Sequence, residues 1–398
     1  MKKCENVLKI LAALLIVPVA LAQATQAPAA PKTAAAPGAS PAADQKLVAF
    51  AREIEKGLAA GKAEALDSRV DAAAIADAAT ARVSAPPQAI AGFKAGVTEQ
   101  FSIGTQLVRE LKAPGASYKF LRLKRADDET RALFRLLTAS GLNYHELTLR
   151  TADAQPRVTD IHVYITGESM SQSLRRAFLQ QVMSVEKGQD AGQTFAQEME
   201  KVRQMSLLAR EGKSEEAMKV YDSLSPKTQG EKIVQVTRVS AAARLDPASY
   251  TKVLDDYRKR FKNDPTLDLI SVDAHLLRGE EKQAMAAIDR IDKAVGGDPY
   301  LDVMRGTFYL AQNQPDKAKA FCQKAVKAEP GLFQGYDTLL TVSLKQQDHP
   351  ETARLLALFE DKFGLNFGDG TFANAPDFKP FTQSESFKTW RQRKAGAK

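Results

Sequence analysis

The sequence predicts an α+β domain of three helices and a four-stranded antiparallel sheet, followed by an all-α array of helical hairpins. Two observations predict this. Apolar residues recur at the helical period up to about residue 111, alternate between 118 and 165, and return to the helical period as far as about residue 364. In the second half an alanine recurs as Ala217, Ala284, Ala318 and Ala353, with gaps of 67, 34 and 35 residues. The first gap is close to twice the others, as a repeat with one degenerate copy requires.

The first stretch reads as an address rather than as fold. Lys2, Lys3 and Lys9 precede an apolar run over residues 10–21, and Ala20-Leu21-Ala22 supplies the small residues a signal peptidase needs, so residues 1–22 form a signal peptide cleaved after Ala22. The run is too short to span a bilayer, which takes roughly 20 residues; an uncleaved anchor is the alternative. Cys4 precedes the run, which excludes a lipoprotein site. The expected destination is across a bacterial inner membrane, in the periplasm or beyond it. No later stretch reads as a membrane span. Cleavage leaves Cys322 as the single cysteine, so no internal disulfide is expected, and a lone thiol of this kind is expected to be buried and inert. Removal of three Lys and one Glu lowers the formal charge of +8 to +6, which falls short of a nucleic-acid footprint.

Residues 23–44 are nearly all Ala, Pro, Thr, Ser and Gly and read as a disordered tether. Residues 45–61 then place Leu47, Val48, Phe50, Ala51, Ile54 and Leu58 on one helical face, ended by Gly61. A second helix is predicted over 67–79, and a third over 88–111, after Pro86-Pro87. Strands follow at 118–124, 130–140, 143–150 and 157–165, with Leu121, Leu123, Ala132, Phe134, Leu136, Leu147, Leu149, Ile161 and Val163 on the apolar face. Arg122, Arg135, Glu146, Thr148 and Tyr164 take the other face. This element order over residues 45–167 resembles the NTF2-like α+β roll. The resemblance implies a cone-shaped pocket that serves in some members for catalysis and in others for docking. Residues 168–192 are expected to form a connecting helix.

From residue 193 to 365 the hairpins are clearest in 299–330, where Gly306, Tyr309, Ala318, Ala325 and Pro330 fall at the positions of small, aromatic, small, small and helix-stopping residues. This stretch resembles a tetratricopeptide (TPR) repeat. Five units are read, at 196–229, 230–264, 265–298, 299–330 and 331–364, with Gly212 and Gly279 at inner turns and Val253 near the missing small residue. The resemblance implies a right-handed superhelical solenoid with a concave groove. Phe308, Tyr309, Gln334 and Tyr336 are taken as groove-side or inter-unit positions. The TPR subclass that grips acidic C-terminal carboxylates uses Lys and Asn where this chain has Val303, Thr307, Thr338 and Val342, so that mode is disfavoured. Residues 366–398 end the chain as an aromatic and basic tail. Ser384 is placed to cap a last helix carrying Phe387 and Trp390, which either docks on the final hairpin or protrudes.

The residues offer little chemistry. The histidines His145, His162, His275 and His349 have no metal-ligand spacing, and one cysteine cannot build a metal site. His145 shares the strand phase of Leu147 and Leu149, and could line a pocket with Tyr118, Tyr144 or Glu146 near it, or sit satisfied at a sheet edge. Ser184 and Ser249 open Ser-x-x-Lys strings without their partner motifs. The reading is a non-enzymatic exported scaffold, with no metal, cofactor or nucleic acid, binding a protein or peptide partner in the cell envelope. The rival is a small-ligand-binding or enzymatic role for the sheet domain. A third reading is a spacer between envelope components.

Overall fold

The computed structural model describes residues 41–396, apart from 114, 127–128, 139–140, 153–154, 187–188, 263, 369–370 and 373–374. The signal peptide expected over 1–22, its cleavage after Ala22, and the tether as far as residue 40 lie outside the described residues. The described chain divides into two compact units, with the division between Ala274 and His275. Among the described residues no helix is long and apolar enough to cross a membrane.

The first unit opens with α1 (Pro41–Ala59), whose Phe50, Ala51, Ile54 and Leu58 are buried along one face. Four more helices precede the sheet: α2 (Glu64–Asp67), α3 (Ala72–Thr80), α4 (Pro87–Gln100) and α5 (Ile103–Glu110). Among the described residues the expected three are thus five. The helix foreseen over 67–79 becomes α2 and α3, with Asp71 capping α3 by accepting from the Ala74 N–H. The helix foreseen over 88–111 breaks at Phe101 and Ser102. There the Asp67 carboxylate, from α2, accepts the Gly104 N–H at 2.6 Å and the Thr105 N–H at 3.3 Å. A carboxylate 37 residues away therefore caps α5, satisfying donors that a new helix start leaves bare.

The sheet has five antiparallel strands rather than four: β1 (Ser117–Ala126), β2 (Glu129–Thr138), β3 (Gly141–Ala152), β4 (Gln155–Val163) and β5 (Glu168–Ser169), in sequence order. Strand β5 escaped the sequence because two residues show no alternation. Between Phe120 and Arg122 the β1–β2 register shifts, so Phe120, not Leu121, stands opposite Phe134. Tyr118 and Phe120 both place their rings near that of Phe134. Helix α1 packs on β1, and α3 packs on β4. After the sheet comes α6 (Met170–Glu186), which packs on α3 and β4. Its Phe178 is fully buried, with its ring 4.7 Å from that of Phe93. Removing such a side chain from water contributes about 1.5–3 kcal/mol.

Helices continue as α7 (Gln189–Arg210), α8 (Ser214–Asp222), α9 (Pro226–Gln229), α10 (Lys232–Ala242), α11 (Pro247–Arg260) and α12 (Pro265–Leu277). Neighbours pack in pairs, α7 on α8 and α10 on α11. Asp246 caps α11 and Asp264 accepts from the Thr266 N–H, so each Asp-Pro opens the helix that follows it.

The second unit carries α13 (Glu281–Val295), α14 (Pro299–Ala311), α15 (Pro315–Ala328), α16 (Phe333–Lys345) and α17 (His349–Phe363). Helix α14 packs on α15, α15 on α16, and α16 on α17. Cys322 is buried in α15, and burial pushes its thiol up to about 12. Arg305 is buried on α14 and reaches Asp302 at 2.9 Å on its own helix, and Asp289 at 2.8 Å and Asp292 at 3.4 Å on α13. The chain ends in a short 3-10 turn (Pro376–Phe378), α18 (Lys379–Thr382) and α19 (Glu385–Gly396). Ser384 Oγ accepts from the Phe387 N–H, as a helix cap should. Phe372, Phe381 and Trp390 share one core with Leu355, Leu356 and Phe359 of α17, so the tail packs on the last hairpin.

Candidate functional site

Four inner turns of the helical half have the same backbone geometry. Gly212, Gly279, Asn313 and Gln347 all adopt positive φ, at 77°, 66°, 54° and 53°. In each case the next residue's N–H donates five residues back: Lys213 to Leu208 at 2.9 Å, Glu280 to His275 at 2.9 Å, Gln314 to Tyr309 at 2.7 Å and Asp348 to Ser343 at 2.9 Å. This is the left-handed helix stop in which the residue after the turn satisfies an orphan carbonyl. The turn positions are 67, 34 and 34 residues apart. The place where a fifth would fall, at 246, holds Asp246 at φ −66° acting as a cap instead.

Counting from these turns puts Ala217, Ala284 and Ala318 at one equivalent position, each fully buried. The fourth member is Thr352, also fully buried, and not the partly buried Ala353. Thr352 Oγ1 lies 2.9 Å from Ser343 Oγ across its hairpin, so a hydroxyl pair takes the place of the small-residue contact. At 299–330 the approach is close: a Cβ on Gly306 would overlap Cys322 Sγ and come within 3.1 Å of the Ala318 carbonyl oxygen. Ala325 is fully buried and Pro330 is exposed just beyond the end of α15. Of the residues read as groove-side or inter-unit positions, three lie in the interior. Phe308, Tyr309 and Tyr336 are buried, with Tyr309 stacked on Phe321 and Tyr336 beside Phe363, so they pack the helices rather than present a surface. Gln334 is half-buried.

In the sheet domain His145 and Tyr118 come together, and Tyr144 does not join them. Tyr118 Oη lies 3.3 Å from His145 Nδ1, and Asn143 Nδ2 lies 3.3 Å from His145 Nε2, so both ring nitrogens are occupied. Burial, followed by the charge of His162, pushes His145 down to about 4, leaving it neutral near pH 7. Tyr144, the preceding residue in the strand, points to the opposite face, where its ring meets that of Tyr164 edge-on.

That opposite face holds a charged cluster the sequence did not single out as a group. Glu146 Oε1 accepts from Lys124 Nζ and from Tyr164 Oη at 2.6 Å, while Arg131 Nη1 approaches Oε2 at 3.4 Å. Lys124 also donates to Tyr164 Oη at 3.1 Å, and Arg131 reaches Glu129 at 2.9 Å. Burial alone would raise the Glu146 carboxyl, but hydrogen bonds from Lys124 and Tyr164 outweigh it and hold the group below its ordinary range. His162, opposite Glu146 in the register, is pushed down by burial. A carboxylate with both oxygens engaged by cations and a phenol is a poor proton acceptor and a good strut. Among the described residues, no group of three His, Cys, Asp or Glu side chains is placed to hold a metal ion. Alternation put Glu146 and Tyr164 on one face; the pairing with Lys124 and Arg131 depended on strand registers that periodicity does not supply.

Comparison of the chain with family models, with curated proteins and with solved structures finds no match in any of the three.

Proposed function

We propose that this protein is an exported, non-catalytic scaffold of the bacterial envelope, whose TPR-like hairpins stack into a solenoid that binds a protein or peptide partner. The observation behind this reading is the four-fold recurrence of one turn geometry, at Gly212, Gly279, Asn313 and Gln347. Hairpins with a common turn and a common close approach bury their apolar stripe by stacking, and stacked hairpins make extended binding surfaces. The NTF2-like sheet domain then serves as a second docking element. The alternative, a ligand pocket around His145, draws little from its residues, because Tyr118 and Asn143 already engage both ring nitrogens.

The test is crosslinking with mass spectrometry on the full chain, expressed from its own signal in the envelope. Reproducible crosslinks from residues 230–365 to a single protein would support the scaffold reading and identify the partner. Crosslinks confined to the chain itself, together with turnover of a substrate by the purified protein, would sink it.

A further inference from the structure

The corner between β4 and β5, residues 163–168, is held by helical segments of the same compact unit. Lys232, the first residue of α10, donates from Nζ to the Gly167 carbonyl at 3.1 Å and pairs with Asp264 at 2.6 Å. Thr266, at the start of α12 and fully buried, donates from Oγ1 to the Tyr164 carbonyl at 2.9 Å. Arg176 of α6 holds both Glu168 oxygens, at 2.6 and 2.7 Å, and places Nε 3.3 Å from Glu231. Gly167 itself is at φ +61°, and a Cβ there would collide with Lys232 Nζ and Thr266 Oγ1 and come within 2.7 Å of Lys232 Cε. The corner is shaped for these helices as well as held by them.

Tyr164 makes the connection specific. Its carbonyl accepts from Thr266, while its hydroxyl donates to Glu146 in the centre of the charged cluster. One residue thus ends both networks: the helices grip its backbone, and the sheet cluster grips its side chain. Lys124, which also bonds that hydroxyl, extends the chain of contacts to β1.

We propose that the 163–168 corner is a conformational clasp that couples the α10–α12 helices to the Glu146 network, so that the two are released together. A partner that displaces Lys232 or Thr266 would loosen the sheet through Tyr164. A ligand that engages Glu146 would be felt at α10 by the same route, since energetic coupling between two sites is reciprocal. This inference stands on contacts within residues 124–266 and holds whether or not the repeats bind a protein.

Hydrogen exchange by mass spectrometry on the full chain tests it, with Thr266→Val and Lys232→Met as variants. Loss of one such bond raises local opening up to about tenfold. The clasp requires that rise in both variants at residues 161–168, at residues 144–148 of β3 and in α10, with α14 and α15 unchanged. A rise limited to the substituted residue's own helix, or no rise, overturns the proposal. A double-mutant cycle of Thr266→Val with Glu146→Gln gives a second readout: non-additive unfolding constants are expected, and strict additivity rejects the coupling.

Discussion

Gly306 of α14 lies so close to Cys322 of α15 that no side chain fits between the two helices at that level. Closeness of this kind is what lets a two-helix hairpin bury its seam without a bulky residue on either side. Gly306→Ala gains about 1 kcal/mol in helix propensity but overfills the seam at a cost of about 1–3 kcal/mol. The net expectation is a lower urea midpoint. The double variant Gly306→Ala with Cys322→Ala should recover part of it by removing the overlapping sulfur.

Glu146 predicts a pH dependence of fixed sign. Its carboxyl is held below the ordinary value in the fold, so it contributes stability that is present above the unfolded carboxylate range and lost as pH falls through the folded value. Glu146→Gln should cost about 1–3 kcal/mol near neutral pH. Chemical unfolding measured at stepped pH should show the gap to the parent protein closing in the acid range.

The repeated turns predict opposite effects from opposite substitutions. Gln347 occupies a left-handed position that costs a non-glycine residue about 1–2 kcal/mol. Gln347→Gly should therefore raise the melting temperature of the chain, and Gly279→Ala should lower it. Equal shifts of one sign would contradict the shared geometry.

The tail carries the chain's single tryptophan, Trp390, within 6.2 Å of the Phe367 ring and in the same core as Phe381. Phe381→Ala should cost about 3–5 kcal/mol locally. It should also move Trp390 emission to longer wavelength as the ring gains water. Unchanged emission would mean that the tail is held by other contacts, such as the Arg393–Asp361 pair.

Much of the fold was legible in the residues because periodicity reports directly on burial. The switch from helix to strand, the antiparallel order of the sheet, and the glycine turns at Gly212 and Gly279 all follow from local pattern. What failed was whatever depends on a distant group. Ser102 looked like helix interior until Asp67 arrived from α2 to cap the break. Leu121 shares the phase of Leu123, but the register shift gives its place to Phe120. Ala353 matched by residue type, while the turn geometry counts to Thr352. Phe308, Tyr309 and Tyr336 were open to a groove-side or an inter-unit place, and the helical period alone does not choose between them. The Glu146 cluster needed three strands in register before its members could be seen together.

Arg305 has a consequence for how the chain avoids assembling wrongly. Hairpins built to one plan are nearly interchangeable, and a folding chain of them is exposed to swapping neighbours. Aliphatic stripes tolerate such exchange; a buried guanidinium does not. Only α13 brings Asp289 and Asp292 to the place where Arg305 needs them, with Asp302 alongside. Any other helix docked there would leave the buried guanidinium with Asp302 as its one remaining carboxylate of the three, at a penalty on the order of several kcal/mol. The cluster thus acts as an address label, making one pairing in the series unlike the rest.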